Sequence, residues 1–356
     1  MEEKLLSIIV PSYNMEKYIQ RCLESLIIKD QVLFNKLDII IVNDGSKDRT
    51  SEIAHVFEYK YPGIFRVIDK KNNNYGSCIN EALKIIIGKY VKILDADDCF
   101  DINFSSYLIA LQSCNVDLIL TDTLDIDDIS GSIVCKKFYD LESDKIYGIE
   151  EVLKKYKYLS MNTITYKSSI FKGNWYYQTT GISYTDTQWS FLPLAKVESI
   201  MYFPFTVYRY TVSRIGQSME NKTIIKNFWM IEKSALDALK IYLEIRKEMK
   251  DQKLILMDNR MNEFLYVPYR NTFTNINGLK FKIDLESYDK QLRDISLYFY
   301  KNVGEIIAGQ IIKCHCVANW RKKSLIGKIK NRLFFILQPL DKRLAHIKIM
   351  IKKTKI

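Results

Sequence analysis

The chain has 356 residues, 47% of them hydrophobic and 13% aromatic, enough for one large domain with appendages or for two domains and too apolar for general disorder. Its formal net charge of +11 is unevenly placed: residues 321–356 hold twelve of the 53 Lys/Arg and one of the 42 Asp/Glu, so the rest is neutral and lacks the basic stripe of a nucleic-acid-binding core. No apolar run approaches the roughly 20 residues of a membrane span, and the start MEEKLLSIIVPSYN is acidic where a secretory signal is basic, so the expected location is intracellular.

LLSIIV (5–10) is a short apolar run closed by Pro11 and reads as a buried strand. MEKYIQRCLESLI follows with Tyr18, Ile19, Cys22, Leu23, Leu26 and Ile27 at helical spacing and Asn14 as its N-cap. LDIIIV (37–42) is the second strand, NDGS a turn, DRTSEIAHVFEYKY a helix and FRVID (65–69) the third strand. The loop KNNNYGS leads to the helix CINEALKIII, and KYVKIL (89–94) is the fourth strand. Continuous apolar strands alternating with helices predict an α/β fold with a mostly parallel central sheet covered on both faces. Ligands of such sheets bind outside the carboxyl ends of the strands.

Four polar loops meet at that rim. They carry Pro11, Ser12, Tyr13 and Asn14; Asn43, Asp44, Gly45 and Ser46; Lys70, Lys71, Asn72 and the Tyr75-Gly76-Ser77 turn; and Asp95, Asp97 and Asp98. Three acids within four positions repel unless a cation sits between them. Hard carboxylate oxygens suit Mg²⁺ or Mn²⁺, and Mg²⁺ usually binds through one or two carboxylates plus substrate phosphates. A Tyr ring on the first loop can stack on a base, and an acid on the second can accept a base N–H.

The stretches SIIVPSYNMEKYIQRCLESL, DIIIVNDGSKDRT, NNYGSCINEALKIIIGKYVKILDADD and YTDTQWSF, in this order and each reaching a strand end, resemble the family 2 inverting glycosyltransferases of the GT-A fold, of the kind that builds bacterial polysaccharides. The resemblance covers roughly residues 5–215. It implies that Pro11, Tyr13 and Asp44 hold the uracil of a UDP-sugar, with Asn14 and Gly76 on the same nucleotide-sugar rim. It implies that Asp95 bonds the ribose or sugar and that Asp97, supported by Asp98, ligates Mn²⁺ or Mg²⁺. Asp186, where the family usually has Glu-Asp and this chain has Thr185-Asp186, is the expected catalytic base. The alternative is that it only caps a helix. Arg209 or Arg214 would contact the diphosphate, or both are solvated strand residues. The family commonly has Asp-Asp-Gly-Ser where this chain has Asn43-Asp44-Gly45-Ser46.

Other motifs carry less. LTDTLDIDD (120–128) has a second D-x-D, Asp125 and Asp127, and is expected to be a solvated loop. Cys314-His315-Cys316 is spaced too tightly for a zinc site. The seven cysteines are scattered and read as core residues. Neither a G-x-G-x-x-G nor a Walker lysine loop is present.

Three regions follow: 1–219, a GT-A catalytic domain; 220–320, a helical region covering the acceptor side, forming a homodimer contact or simply packing as core; and 321–356, a tail. In the second region one long helix is expected over 221–249 and another broken at Pro268. In the tail, Ile326, Ile329, Leu333, Leu337, Leu340, Leu344, Ile347 and Ile351 share one helical face opposite lysines and arginines, with a break at Pro339. This predicts peripheral binding to an anionic membrane surface on the cytoplasmic side; the alternative is a terminal helix docked on the domain with solvated lysines. The expected activity is a metal-dependent transfer (EC 2.4, hexosyltransferase type) from a UDP-sugar to a glycan or lipid-linked acceptor in cell-surface polysaccharide synthesis. The alternatives are a non-catalytic sugar-nucleotide or membrane-binding module and a nucleotidyltransferase, which would need a glycine-rich loop after the first strand.

Overall fold

The structure, a computed structural model, describes residues 3–128, 130, 132–136, 139–212, 221–274, 284–304 and 316–323. They fall into two compact units, one within Met1–Gln217 and Ile245–Met249, the other within Ser218–Glu244 and Lys250–Ile356.

The first unit opens with β1 (Leu6–Ser12), α1 (Ile19–Glu24), α2 (Gln31–Phe34), β2 (Leu37–Asn43), α3 (Thr50–Lys60), β3 (Phe65–Asp69), α4 (Asn74–Leu83) and β4 (Tyr90–Ile93). It continues with β5 (Cys99–Phe100), α5 (Phe104–Ser113), β6 (Leu118–Asp127), β7 (Ile133–Lys136), β8 (Ile146–Gly148), α6 (Ile149–Lys155), β9 (Ile164–Lys167), α7 (Asp186–Phe191) and β10 (Ser199–Val212). The sheet order is β3-β2-β1-β4-β9-β6-β10-β5, with β7 beside β6 and β8 beside β10. β3, β2, β1 and β4 run parallel, as do β6 and β10, and β9 reverses direction between the two groups.

Every residue of β1 and β2 is buried. Alternate side chains go to opposite faces. Ile8, Val10, Ile39 and Ile41 join one core with Cys22 and Leu23 of α1 and Ala54 and Phe57 of α3. Ile9, Ile40 and Val42 are equally buried but lie outside that cluster, and α4 packs on β1 and β2. Two covered faces explain why these strands read as unbroken apolar runs.

Three expectations are corrected. Asn14 does not cap the first helix: α1 starts at Ile19, and Asn14 sits at φ +54°, a left-handed conformation that Asn tolerates. The acids of 120–128 are not in a solvated loop. Leu118–Asp127 is β6, bordered by β9 and β10. Asp122 and Asp125 are buried there, and the Tyr202 hydroxyl donates to Asp122 at 2.9 Å. In the second unit, with α8 (Asn221–Lys226), α9 (Phe228–Arg246), α10 (Asp251–Thr274), α11 (Leu285–Ile295), α12 (Leu297–Asn302) and α13 (Cys316–Arg321), α10 runs through Pro268 without a break. A proline removes one backbone donor, and the 24-residue helix carries Pro268 in its interior.

Residues 324–356, with the proposed membrane face and Pro339, lie outside the described residues, as do Arg214, Cys314 and His315. No helix among the described residues is long and apolar enough to cross a membrane. Arg321, counted above with the tail, belongs to the packing of the second unit: its guanidinium pairs with Asp289 at 2.6 Å and lies 3.6 Å from the Tyr300 ring centre. Cys22, Cys78, Cys99 and Cys114 are buried thiols outside any disulfide, and Cys316 is buried as well.

Lys92 interrupts the apolar run of β4 and is fully buried. Its ammonium donates to the carbonyls of Asn162 (2.7 Å) and Ile164 (3.1 Å) and lies 5.9 Å from the Tyr208 ring centre. Burial lowers its pKa from 10.5 to about 7. Between those values the unfolded chain binds more protons than the folded one, so stability rises with pH, by up to about 1.4 kcal/mol per pH unit from this group. Urea unfolding of wild type and Lys92→Met at pH 7 to 9.5 should show that rise in the wild type and a flatter profile in the variant. Parallel profiles would mean that Lys92 titrates normally.

Candidate active site

The ends of β1, β2, β3 and β4 meet, as the topology requires. The first two loops are stitched together: Asp44 N donates to Ser12 O (2.8 Å), Asn14 N to Ser46 Oγ (3.0 Å) and Lys47 N to Asn14 Oδ1 (2.8 Å). Gly45 has φ +70°, and a Cβ there would stand 3.0 Å from Asn72 N, so only glycine lets the second loop lie against the third. Asp44 is buried, and its Oδ1 accepts from Asn73 N at 2.9 Å and from the Lys70 ammonium. Lys70 also donates to Ser77 Oγ at 2.8 Å. Pro11 is buried at the end of β1, and Tyr13 beyond it is 44% exposed, presenting an open ring.

The acids after β4 are held from three directions. The Tyr75 hydroxyl of α4 donates to Asp95 Oδ1 at 2.8 Å. The Tyr208 hydroxyl of β10 accepts from Asp95 N at 3.1 Å and donates to Asp98 Oδ2 at 2.7 Å. Thr211 N donates to Asp98 Oδ1 at 2.7 Å. Asp98 is 1% exposed and has both oxygens committed to β10. The Asp97 carbonyl accepts from Arg21 and from Thr211 Oγ1, both at 3.1 Å. Burial, then the Asp97 charge, push Asp95 up to about 7; the Tyr75 bond acts the other way and the Asp186 charge adds to the rise. Burial followed by Asp97 and Asp95 raises Asp98 strongly.

Asp186 begins α7, 88 positions after the last of these acids in sequence, and still lies within electrostatic reach of Asp95, Tyr75 and Tyr158. Burial raises its pKa, and the N–H groups of Thr187 and of Asp186 itself partly offset the rise. The preceding segment is tied to α4: Gln178 and Asn80 exchange two bonds (2.8 and 2.9 Å), and Gly181 N donates to Asn73 O at 2.8 Å. Gly76 is the close approach of this contact, since a Cβ there would fall 2.3 Å from Thr179 O.

Arg209, expected to contact the diphosphate, stands beside Asp101. Tyr208 and Tyr210 feel the acids after β4, whereas Arg209 has the opposite pleat orientation, and its Nε lies 3.9 Å from Asp101 Oδ2 without a hydrogen-bond partner. Four residues hold the site together: Lys70 and Tyr75, which the sequence places on the rim without a role, and Asn73 and Tyr208, which it does not place there. Tyr75 and Tyr208 flank the Gly76 and Arg209 that were chosen, and nothing in their spacing shows that a hydroxyl is aimed at a carboxylate.

Among the described residues, no three His, Cys, Asp or Glu side chains are arranged to hold a metal by themselves. The donor set still suits one. Asp95 and Asp97 are crowded carboxylates, one with a raised pKa, and a divalent cation would relieve that crowding. A site with two protein carboxylates takes its remaining ligands from water and substrate phosphate.

The family model described as "Glycosyl transferase family 2" matches residues 7–173. The chain is 40% identical over 98 residues to "Uncharacterized glycosyltransferase MG025" of Mycoplasma genitalium, covering 27% of this chain and 32% of that protein. It is 37% identical over 92 residues to "Minor teichoic acid biosynthesis protein GgaB" of Bacillus subtilis, covering 26% and 10%. The match therefore spans a third or less of these relatives. Among solved structures, S. aureus TarS 1–349 in complex with UDP-GlcNAc superposes with a TM-score of 0.65 at 19% identity, over 94% of this chain and 92% of that one. A likeness at that identity speaks for the fold, which is of the GT-A type with added C-terminal helices.

Tyr208→Phe should cost about 1–3 kcal/mol in urea unfolding, because Asp98 loses a buried donor and Asp95 N its acceptor. A change below about 0.5 kcal/mol would show that water or another donor replaces the hydroxyl.

Proposed function

We propose that the chain is an inverting glycosyltransferase that moves a sugar from a UDP-sugar to a glycan or lipid-linked acceptor of a cell-surface polymer. The observation that supports this most directly is the convergence of Asp186 with Asp95 beside the nucleotide-facing loops. The acceptor hydroxyl attacks the anomeric carbon, its proton goes to Asp186, and the bond from that carbon to the diphosphate oxygen breaks, so UDP leaves from the opposite face. A raised pKa makes Asp186 a stronger base for this task. Tyr13, with Pro11, Asn14 and Asp44, forms the base end of the donor site, and Gly76 supports the rim between them. Asp95 faces the ribose or sugar.

Mg²⁺ or Mn²⁺, held by Asp97 and the donor diphosphate, would neutralise the charge that develops on the leaving group. Asp98 supports this site by fixing the turn to β10 through both of its oxygens, and leaves the metal to Asp97. Arg209 reaches the diphosphate only after leaving Asp101. The UDP-GlcNAc bound to TarS supports a UDP-sugar donor, and the name of GgaB supports a wall-polymer acceptor. The basic face of 321–356 would bring the enzyme to an anionic membrane, where a lipid-linked acceptor lies. The helical region then offers an acceptor surface or a homodimer contact.

Asp186→Asn should lower turnover by about 10²-fold or more while leaving stabilisation by UDP unchanged; near-normal turnover would remove Asp186 from the mechanism. Thermal-shift measurements with UDP, GDP, CDP and dTDP should show a response to UDP that needs Mn²⁺ and disappears with chelator or in Asp97→Asn. A metal-independent response, or none, would mean that these acids do not form a donor site.

A further inference from the structure

The second unit contains a hollow of about 280 Å³ between α9 and α11. Trp229 stands at it with half its surface exposed, a large apolar group left in water on a helix that otherwise buries Phe228, Leu236 and Leu239. Glu232, one turn further along the same face, has a buried Oε1 with no hydrogen-bond partner. The other charges around the hollow are already engaged. Asp237 receives Lys233 at 2.6 Å and Lys240 at 3.0 Å, and Asp284 caps α11 by accepting from Ser287 N at 3.0 Å.

We infer that this hollow binds a single saccharide ring, with Trp229 as the platform under its apolar face and Glu232 as the acceptor for its hydroxyls. At about 280 Å³ the hollow lies just below the usual range of small-molecule pockets, about 300 to 1,000 Å³, which limits its ligand to a small one such as a single ring. A buried carboxylate oxygen without a donor is unusual, and a ligand O–H supplies what the protein leaves out. Burial, and after it the Asp284 charge, push Glu232 up to about 7, so its environment favours a donated hydrogen. The mixed lining selects the ligand class. An anion would face Glu232 and Asp284, and a cation would face Lys233 and Lys240. A neutral polyol accepts from the lysines and Gln291 and donates to the carboxylates, while an exposed indole offers contact area at little conformational cost. The inference does not rest on the transfer reaction.

The test uses the full chain and the methyl β-glycosides of glucose, galactose and N-acetylglucosamine, followed by saturation-transfer NMR and tryptophan fluorescence. At least one glycoside should bind in the millimolar range. Trp229→Ala should weaken it about ten-fold or more, Glu232→Gln about five-fold, and Trp229→Phe, which keeps an aromatic face, less than about three-fold. UDP-dependent stabilisation should be the same in all three variants, so failure here is distinct from failure of the donor site. The idea is overturned if no glycoside binds. It is also overturned if binding survives Trp229→Ala but is lost in Asp186→Asn, or if choline binds there in place of the glycosides.

Discussion

Three carboxylates sit within four positions at the end of β4, and the first unit is arranged around holding them there. Asp95, Asp97 and Asp98 cannot all be charged, dry and unpaired. Hydroxyls from α4 and β10 and one backbone N–H from β10 take up part of the charge. The remainder shows as raised pKa values for Asp95 and Asp98. A group that is uncomfortable as an isolated carboxylate is well matched to a cation and a diphosphate arriving together. Under the proposed function, the stability given up in the free protein is recovered when a cation and diphosphate bind.

The start of α4 links the second loop to the acids after β4. Asn73 N holds Asp44 on the base side, and Tyr75, two residues later, holds Asp95 on the acid side. The carbonyl of Asn73 also fixes Gly181, five positions before Asp186. One short stretch therefore sets the spacing between the Asp44 loop, the acids after β4 and Asp186. Gly76 sits in its middle because the 178–179 backbone passes too close for any side chain. Its place on the rim and its packing role are compatible, since the packing brings the rim together.

Much of this fold was legible from β1 to β4, because strands buried on both faces leave unbroken apolar runs and the helices between them keep a 3.6-residue period. Misreadings came where local composition and tertiary setting disagree. Asp122 and Asp125 looked like loop residues because buried acids are rare, yet Tyr202 gives Asp122 a donor that no local pattern reveals. Pro268 looked like a helix end, but α10 is long enough to carry one missing donor. The acids of the site could be found in sequence through their position at strand ends. Their hydroxyl partners, 20 and 113 residues from Asp95, could not.

The departure at Asn43 follows from the same electrostatic logic. Asn43 Nδ2 donates to Asp69 Oδ1 at 2.7 Å, and Asp69 also takes the Ser51 hydroxyl at 2.7 Å and faces His55 Nε2 at 2.7 Å. An aspartate at 43 would set a second carboxylate against Asp69 with no proton to share. The amide removes that repulsion, and its Oδ1 still accepts from Ser46 N at 3.2 Å, as a carboxylate would. The turn that carries Asp44 thus keeps its shape with one charge fewer. His55, its pKa raised first by the hydrogen bond to Asp69, closes the far side of the network. The substitution changes how the loop is braced, while Asp44 itself stays fixed by Lys70 and Asn73.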